Sequence, residues 1–318
     1  MSTSSLKAAA LETEALSTAP LATKALSESL PLSTRGYLLG AGLIVLAALG
    51  FSLQPIFARA IYADGANSLG IVWLRMLVPS VIALLLLPQT RRLRLGAGGL
   101  GILNGFASLC YFAALDQMSV SLTVMLVSLF PLIVFIQGWL RRQEQLSLLK
   151  ILSLSGALLG VYCTLDGDFS GSWSGMLFGL GAATFYASYI VGAAQWMPKG
   201  DALGNSAWTL IGAAMVFSIP FLAGHAELPV SLYGWSMVLA LGIVSTLIPF
   251  LLLIKGIGIL QKQFDVAIFS TTEPIASIFW AWLLLQEAIT ASGLLGITLV
   301  MSAALLMVWS QSRSQAQP

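Results

Sequence analysis

The chain has 318 residues, of which 58% are hydrophobic and only 9% charged, with a formal net charge of +2. A soluble globular domain carries roughly 25% charged residues, and so few charges could not cover a water-facing surface of this size. An ordinary water-soluble enzyme, a disordered chain and a nucleic-acid binder with its basic face are thereby excluded, and the mean hydropathy of +0.90 points to a polytopic membrane protein.

Residues 1–35 stand apart. They are rich in Ser, Thr, Ala and Leu and lack the continuous apolar core of a secretory signal. They read as a disordered cytoplasmic tail. From Tyr37 onward ten apolar segments follow, near 37–58, 67–88, 96–115, 119–139, 147–164, 173–195, 203–222, 232–254, 264–285 and 291–310. Most approach the ~20 residues that a bilayer-spanning helix needs. They are too long for barrel strands and do not alternate. Residues 311–318 form a second short tail.

The basic residues orient the chain. With the amino terminus inside, thirteen of the fifteen fall in inner tails and loops, and only Arg59 falls in an outer loop. The remaining one, Arg75, lies within a segment. That asymmetry is a strong positive-inside signal. It favours an even number of spans, both termini in the cytoplasm and a multi-pass protein of the cell (inner) membrane.

The second half echoes the first. Pro131 and Pro274 are 143 positions apart, and so are Gln143-Glu144 and Gln286-Glu287. Five helices per repeat means that the two repeats enter the membrane from opposite sides. Inverted repeats of this kind place a site near the bilayer midplane between the halves, where rocking exposes it alternately. The expected fold is an all-α integral membrane protein of ten transmembrane helices in two inverted five-helix repeats. The repeats cover 36–165 and 172–310.

Two charged residues sit well inside the segments, Arg75 in the second and Glu273 in the ninth. Each costs ~2.5–3.5 kcal/mol or more to insert, so each needs protein, water or a partner. At ~1.5 Å per residue, Arg75 lies about 12 Å from the outer edge and Glu273 about 13–14 Å from the inner one. Across a hydrocarbon core of ~30 Å their depths nearly coincide. Either they pair, or they flank a charged substrate. Bland alternatives stand beside these: Arg75 braces packing or snorkels outward, and Glu273 satisfies backbone freed by Pro274. A buried unpaired carboxylate binds its proton more tightly, so Glu273 is the candidate proton carrier. The polar residues Gln54, Asn104, Ser128, Tyr186, Tyr189, Thr246 and Thr271 fall near mid-segment. As a set they suit a moderately polar cavity with aromatic walls; singly, each fits an interhelical hydrogen bond better. Pro131 and Pro274 are expected to bend the fourth and ninth segments alike. Glu144 and Glu287 sit at helix junctions and read as solvated or structural.

Cys110, Cys163 and the single His225 give neither a disulfide framework nor metal-ligand spacing. No phosphate-binding G-x-x-x-x-G-K-[ST] stretch occurs. No cofactor, no metal and no nucleic-acid partner is expected.

These residues carry a family resemblance. YFAALDQMSVSLTVMLVSLFPLIVFIQGWLRRQEQLSLLKILSLSGALLGVY (111–162), STTEPIASIFWAWLLLQEAITASGLLGITLVMSAALLM (270–307) and WLRMLVPSVIALLLLP (73–88) resemble the EamA-type branch of the drug/metabolite transporter superfamily. Two departures are visible: Gln143 and Gln286 stand where the family often has glycine, and Arg141-Arg142 closes the fourth segment. The resemblance implies export or exchange of small metabolites without ATP. One charge of each sign fits a zwitterion such as an amino acid, with Arg75 on the anionic group and Glu273 on the cationic group or a proton. The rival readings are a membrane-embedded enzyme and a non-transporting sensor. The enzyme lacks H-E-x-x-H, G-x-S-x-G and a second histidine.

Overall fold

The computed structural model describes residues 34–86, 88–142, 147–164, 172–197, 201–260, 269–270, 272–288 and 290–315. Among them every regular element is helical. Helices α1 (Thr34–Ser52) and α2 (Gln54–Ala63) occupy the first predicted segment, and α3 (Ser68–Leu86) the second. Helix α4 (Leu95–Gln117) fills the third, and α5 (Val120–Val127) with α6 (Phe130–Leu140) the fourth. Then come α7 (Leu148–Thr164), α8 (Trp173–Trp196) and α9 (Ala202–Leu222). Helix α10 (Leu232–Leu239), a π-helical turn (Ala240–Leu247) and α11 (Ile248–Leu260) run on without a break in direction of the chain. Helices α12 (Thr272–Leu285) and α13 (Ala291–Gln315) close the sequence of elements.

Seven helical stretches among the described residues are long and apolar enough to cross a membrane: 34–63, 68–86, 95–117, 120–140, 173–193, 203–222 and 232–260. Three further apolar helices are shorter, Leu148–Gly160, Thr272–Leu285 and Ala291–Leu306. Their outer faces carry large exposed side chains such as Leu85, 77% exposed, and Leu177, 70% exposed. Apolar surface on this scale suits lipid, not water.

Polar side chains start the helices. Asn67, Ser119, Ser172, Asp201, Ser231 and Thr290 each accept a hydrogen bond from the backbone N–H three residues on. Each answers one of the four donors that a helix start leaves orphaned. Prolines end or interrupt the helices. Pro55 follows the break at Leu53, and Pro131 follows the break at Ser128–Leu129, each in the first turn of the helix that resumes. Pro274 is likewise in the first turn of α12. Pro79 and Pro220 lie inside continuous helices.

The helices pair in matched sets. α4 packs on α8 as α1 packs on α11; α4 on α9 and α6 on α8 have counterparts in α3 on the π turn and α1 on α12; α7 packs on α13 and α3 on α9. Apolar burial drives little association in lipid, so close approach matters more. At Gly212 in α9 an added Cβ would fall 2.0 Å from the Gly98 carbonyl oxygen of α4. Only glycine lets these two backbones meet. One apolar cluster joins α2, α3, α4, α9 and the π turn around Phe112, Met76 and Leu241. A second joins α5, α6, α7, α12 and α13 around Leu126, Phe135 and Val300.

Candidate functional site

Arg75 of α3 and Glu273 of α12, the two charges within apolar segments, lie within electrostatic reach of each other. Helix α3 presents Arg75. Its Nη1 donates to Ser108 Oγ of α4 at 3.0 Å, and its Nε donates to Thr246 Oγ1 of the π turn at 3.4 Å. The guanidinium carbon stands 5.4 Å from the centroid of the Phe112 ring. These contacts engage Nε, Nη1 and one face of the group; among the described residues Nη2 has no hydrogen-bond partner.

Glu273 stands in the first turn of α12. It lies within electrostatic reach of Arg75, Tyr111 and Tyr186. Arg75 and Glu273 form no ion pair, and Glu273 has no hydrogen-bond partner among the described residues. Of the two expected arrangements, direct pairing is not seen: the two charges influence each other without an ion pair.

Aromatic rings line the same region. Tyr186 packs edge-on against Phe130 at 5.0 Å between centroids and stacks obliquely on Tyr189 at 6.1 Å, the ring planes 29° apart. Tyr111 meets Phe112 edge-on at 5.2 Å. Cations are attracted to such faces, and Tyr hydroxyls donate and accept. The arrangement therefore offers a fixed cation, an acceptor carboxylate, adaptable hydroxyls and apolar ring surface.

With this geometry in hand, the chain can be compared with known proteins. The EamA-like transporter family matches it twice, over residues 38–165 and 173–309. The chain belongs to the EamA-like transporter family. An uncharacterized transporter of Bacillus subtilis, YcbK, is similar, 31% identical over 204 residues. That match spans 60% of this chain and 64% of YcbK, less than two thirds of its length. An uncharacterized transporter of Archaeoglobus fulgidus is 23% identical over 277 residues, which is 86% of this chain and 97% of that one. A solved crystal structure, 18% identical, shares the fold with a TM-score of 0.57 over 89% of this chain and 99% of its own.

The remaining predicted site residues of this EamA-family chain have mixed fates. Tyr186, Tyr189 and Thr246 gather with Arg75 and Glu273. Asn104 shares their helix face, one turn before Ser108 on α4, and has no partner among the described residues. Gln54 does not join them. Its Nε2 donates to the Ser245 carbonyl at 3.0 Å, and Gln54 is only 8% exposed. The reason is Pro249. An α-helix would answer the Ser245 carbonyl with the N–H of residue 249, and proline has none. Gln54 supplies the missing donor from the other half of the chain. Ser128 turns back on its own helix, donating to the Val124 carbonyl at 2.8 Å. Thr271 lies outside the described residues.

Other charged residues serve the architecture. Glu287 accepts from Val120 N at 2.7 Å and from Ser121 N at 3.3 Å, so the carboxylate caps α5. Gln286, beside it, has φ of 55°. That left-handed conformation is the helix-ending position glycine fills most easily, which accounts for the glycine the family favours there. Lys150, in the first turn of α7, is 5% exposed, with Nζ 4.8 Å from the Phe135 ring centroid. A hollow of about 290 Å³ lined by Trp282, Leu283, Gln286, Glu287 and Ala288 lies at the opposite end of α12 from Glu273.

Sequence reasoning missed Ser108, Tyr111, Phe112 and Phe130. The spacing held a signal for two of them. Asn104, Ser108 and Tyr111 recur at four and three residues, which aligns them on one helix face.

Proposed function

We propose that this protein is a secondary transporter that moves small zwitterionic metabolites, amino acids or close analogues, by alternating access without ATP. One observation carries the reading: an arginine and a glutamate lie within electrostatic reach of each other in an apolar bundle without pairing. Leaving both charges unpaired is costly, so the gap between them is best explained by a ligand that completes both. A carboxylate completes Arg75 at Nη2. An ammonium or a proton completes Glu273, with Tyr111 and Tyr186 alongside.

The matched helix pairings and the twofold family match support two inverted five-helix repeats, at 36–165 and 172–310, with tails at 1–35 and 311–318. The excess of basic residues on one side supports cytoplasmic termini and a cell-membrane location. In this scheme the repeats rock about the site, Pro131 and Pro274 bend the helices that flank it, and Glu273 exchanges substrate for a proton.

Purified protein in lipid vesicles tests the reading. A panel of L-amino acids, their methyl esters and the corresponding amines is offered with and without a pH gradient. Uptake of amino acids in preference to esters and amines, driven by the gradient and lost from Glu273→Gln, is the expected result. Chemical conversion without flux, or equal uptake of charged and uncharged analogues, overturns it.

A further inference from the structure

We propose that Ser108 and Thr246 are positioning residues for Arg75, and that the π turn over Ala240–Leu247 brings the Thr246 hydroxyl to it. The inference rests on the reading of Arg75 as the anion-binding group and adds what keeps that group available.

A flexible arginine within electrostatic reach of an unpaired glutamate is drawn towards it. The attraction grows as the surroundings become less polar, and a direct pair would consume both binding groups. Three contacts oppose collapse: the two hydroxyls at 3.0 and 3.4 Å and the Phe112 ring at 5.4 Å. Arginine offers only donors, so each hydroxyl must present a lone pair.

The π turn fixes this for Thr246. Its Oγ1 donates to the Leu241 carbonyl, five residues back, at 2.8 Å. In an ordinary α-helix a threonine hydroxyl reaches the carbonyl three or four residues back. With its proton given to Leu241, the oxygen is left as a pure acceptor facing Arg75 Nε. Pro249 removes the N–H that would rebuild regular helix, and Gln54 answers the Ser245 carbonyl so released. π turns are rare and often mark functional sites. Here the turn has a defined effect on one side chain. Ser108 and Thr246 come from opposite halves of the chain, so the brace also links Arg75 to both.

Transport kinetics in vesicles test the proposal, with two probes: the L-amino acid best taken up in the panel above, and its methyl ester as competitor. Thr246→Val keeps the shape and removes the hydroxyl; Thr246→Ser keeps the hydroxyl. Thr246→Val and Ser108→Ala are each expected to raise KM for the amino acid about tenfold, with maximal rate within about twofold and the inhibition constant of the ester unmoved. Thr246→Ser should restore KM. An equal rise for both probes, or a Thr246→Ser variant as impaired as Thr246→Val, overturns the proposal in favour of a purely structural role. Arg75→Ala keeps the two levels apart. If it destroys the preference for the amino acid while Thr246→Val changes nothing, the brace fails and the anion site survives. If Arg75→Ala leaves that preference intact, or the parent protein takes up neither probe, the anion site fails and the brace falls with it.

Discussion

Arg94 and Arg75 belong to the same fold and are answered in opposite ways. Arg94 precedes α4 and meets its counter-charge directly: Nη2 pairs with Asp201, and Nη1 donates to Asn205 Oδ1 at 2.9 Å. Asp201 in turn caps α9 through Gly204 N at 2.9 Å. Charge, cap and amide form a staple that fastens the starts of α4 and α9. Arg75, deep in α3, lies within electrostatic reach of the Glu273 carboxylate but is held by neutral hydroxyls instead. Charge is cheap at a helix end and expensive within the bundle. A bundle shaped for stability alone would pair its expensive charges first. That it pairs the cheap ones and leaves the costly ones open is what the proposed site at Arg75 and Glu273 requires.

The comparison can be broken most forcefully at its functional side. Arg75→Ala and Glu273→Gln should each reduce uptake to background in vesicles while leaving folded protein, since among the described residues neither side chain completes a helix cap or an ion pair. Loss of folding in both would make the pair structural. On the other side lies the seam that Arg94 clamps. Gly212→Val would drive side-chain atoms into the α4 backbone and should abolish monodisperse protein in detergent. Gly42→Ala, where a Cβ meets nothing within 4 Å, should leave the elution profile unchanged. The staple itself is a smaller effect. A double-mutant cycle of Arg94→Ala and Asp201→Ala, read by thermal denaturation, should give a coupling of about 1 kcal/mol, with transport retained.

The smallest effect is a pH dependence outside the bundle. Asp64, just after α2, is held below the usual carboxylate range by hydrogen bonds from Ser231, of which Ser231 N is at 2.9 Å. A depressed folded-state pKa contributes stability that is fully present above the unfolded value. It is lost as pH falls through the folded one. Denaturation midpoints of the parent and Asp64→Asn proteins should therefore converge on acidification below about pH 4 and differ slightly at neutrality. Parallel curves would show that the loop contact is electrostatically idle.

Much of this was legible in the residues. Arg75 and Glu273 stand out because a charge in an apolar segment is rare and needs a reason. Helix positions followed from apolar runs, which lipid demands. Ser108 and Tyr111 were hidden because serine and tyrosine are common at ordinary packing contacts, and their importance depends on what faces them. The π turn left no local trace: ALGIVSTL reads as plain helix. Gln54 was selected for its polarity, yet its role is set by a carbonyl 191 residues away, made needy by a proline. Long-range pairings of that kind are a property of the fold, not of any window of sequence.

The contact of Gln54 with Ser245 also has a mechanical meaning. The break at Leu53 and the π turn before Pro249 face each other, with Gly50 so near that an added Cβ would fall 2.4 Å from Pro249 Cγ. Two weak points in two helices thus form one knuckle. Straightening either would pull the amide from its carbonyl and strand a buried acceptor.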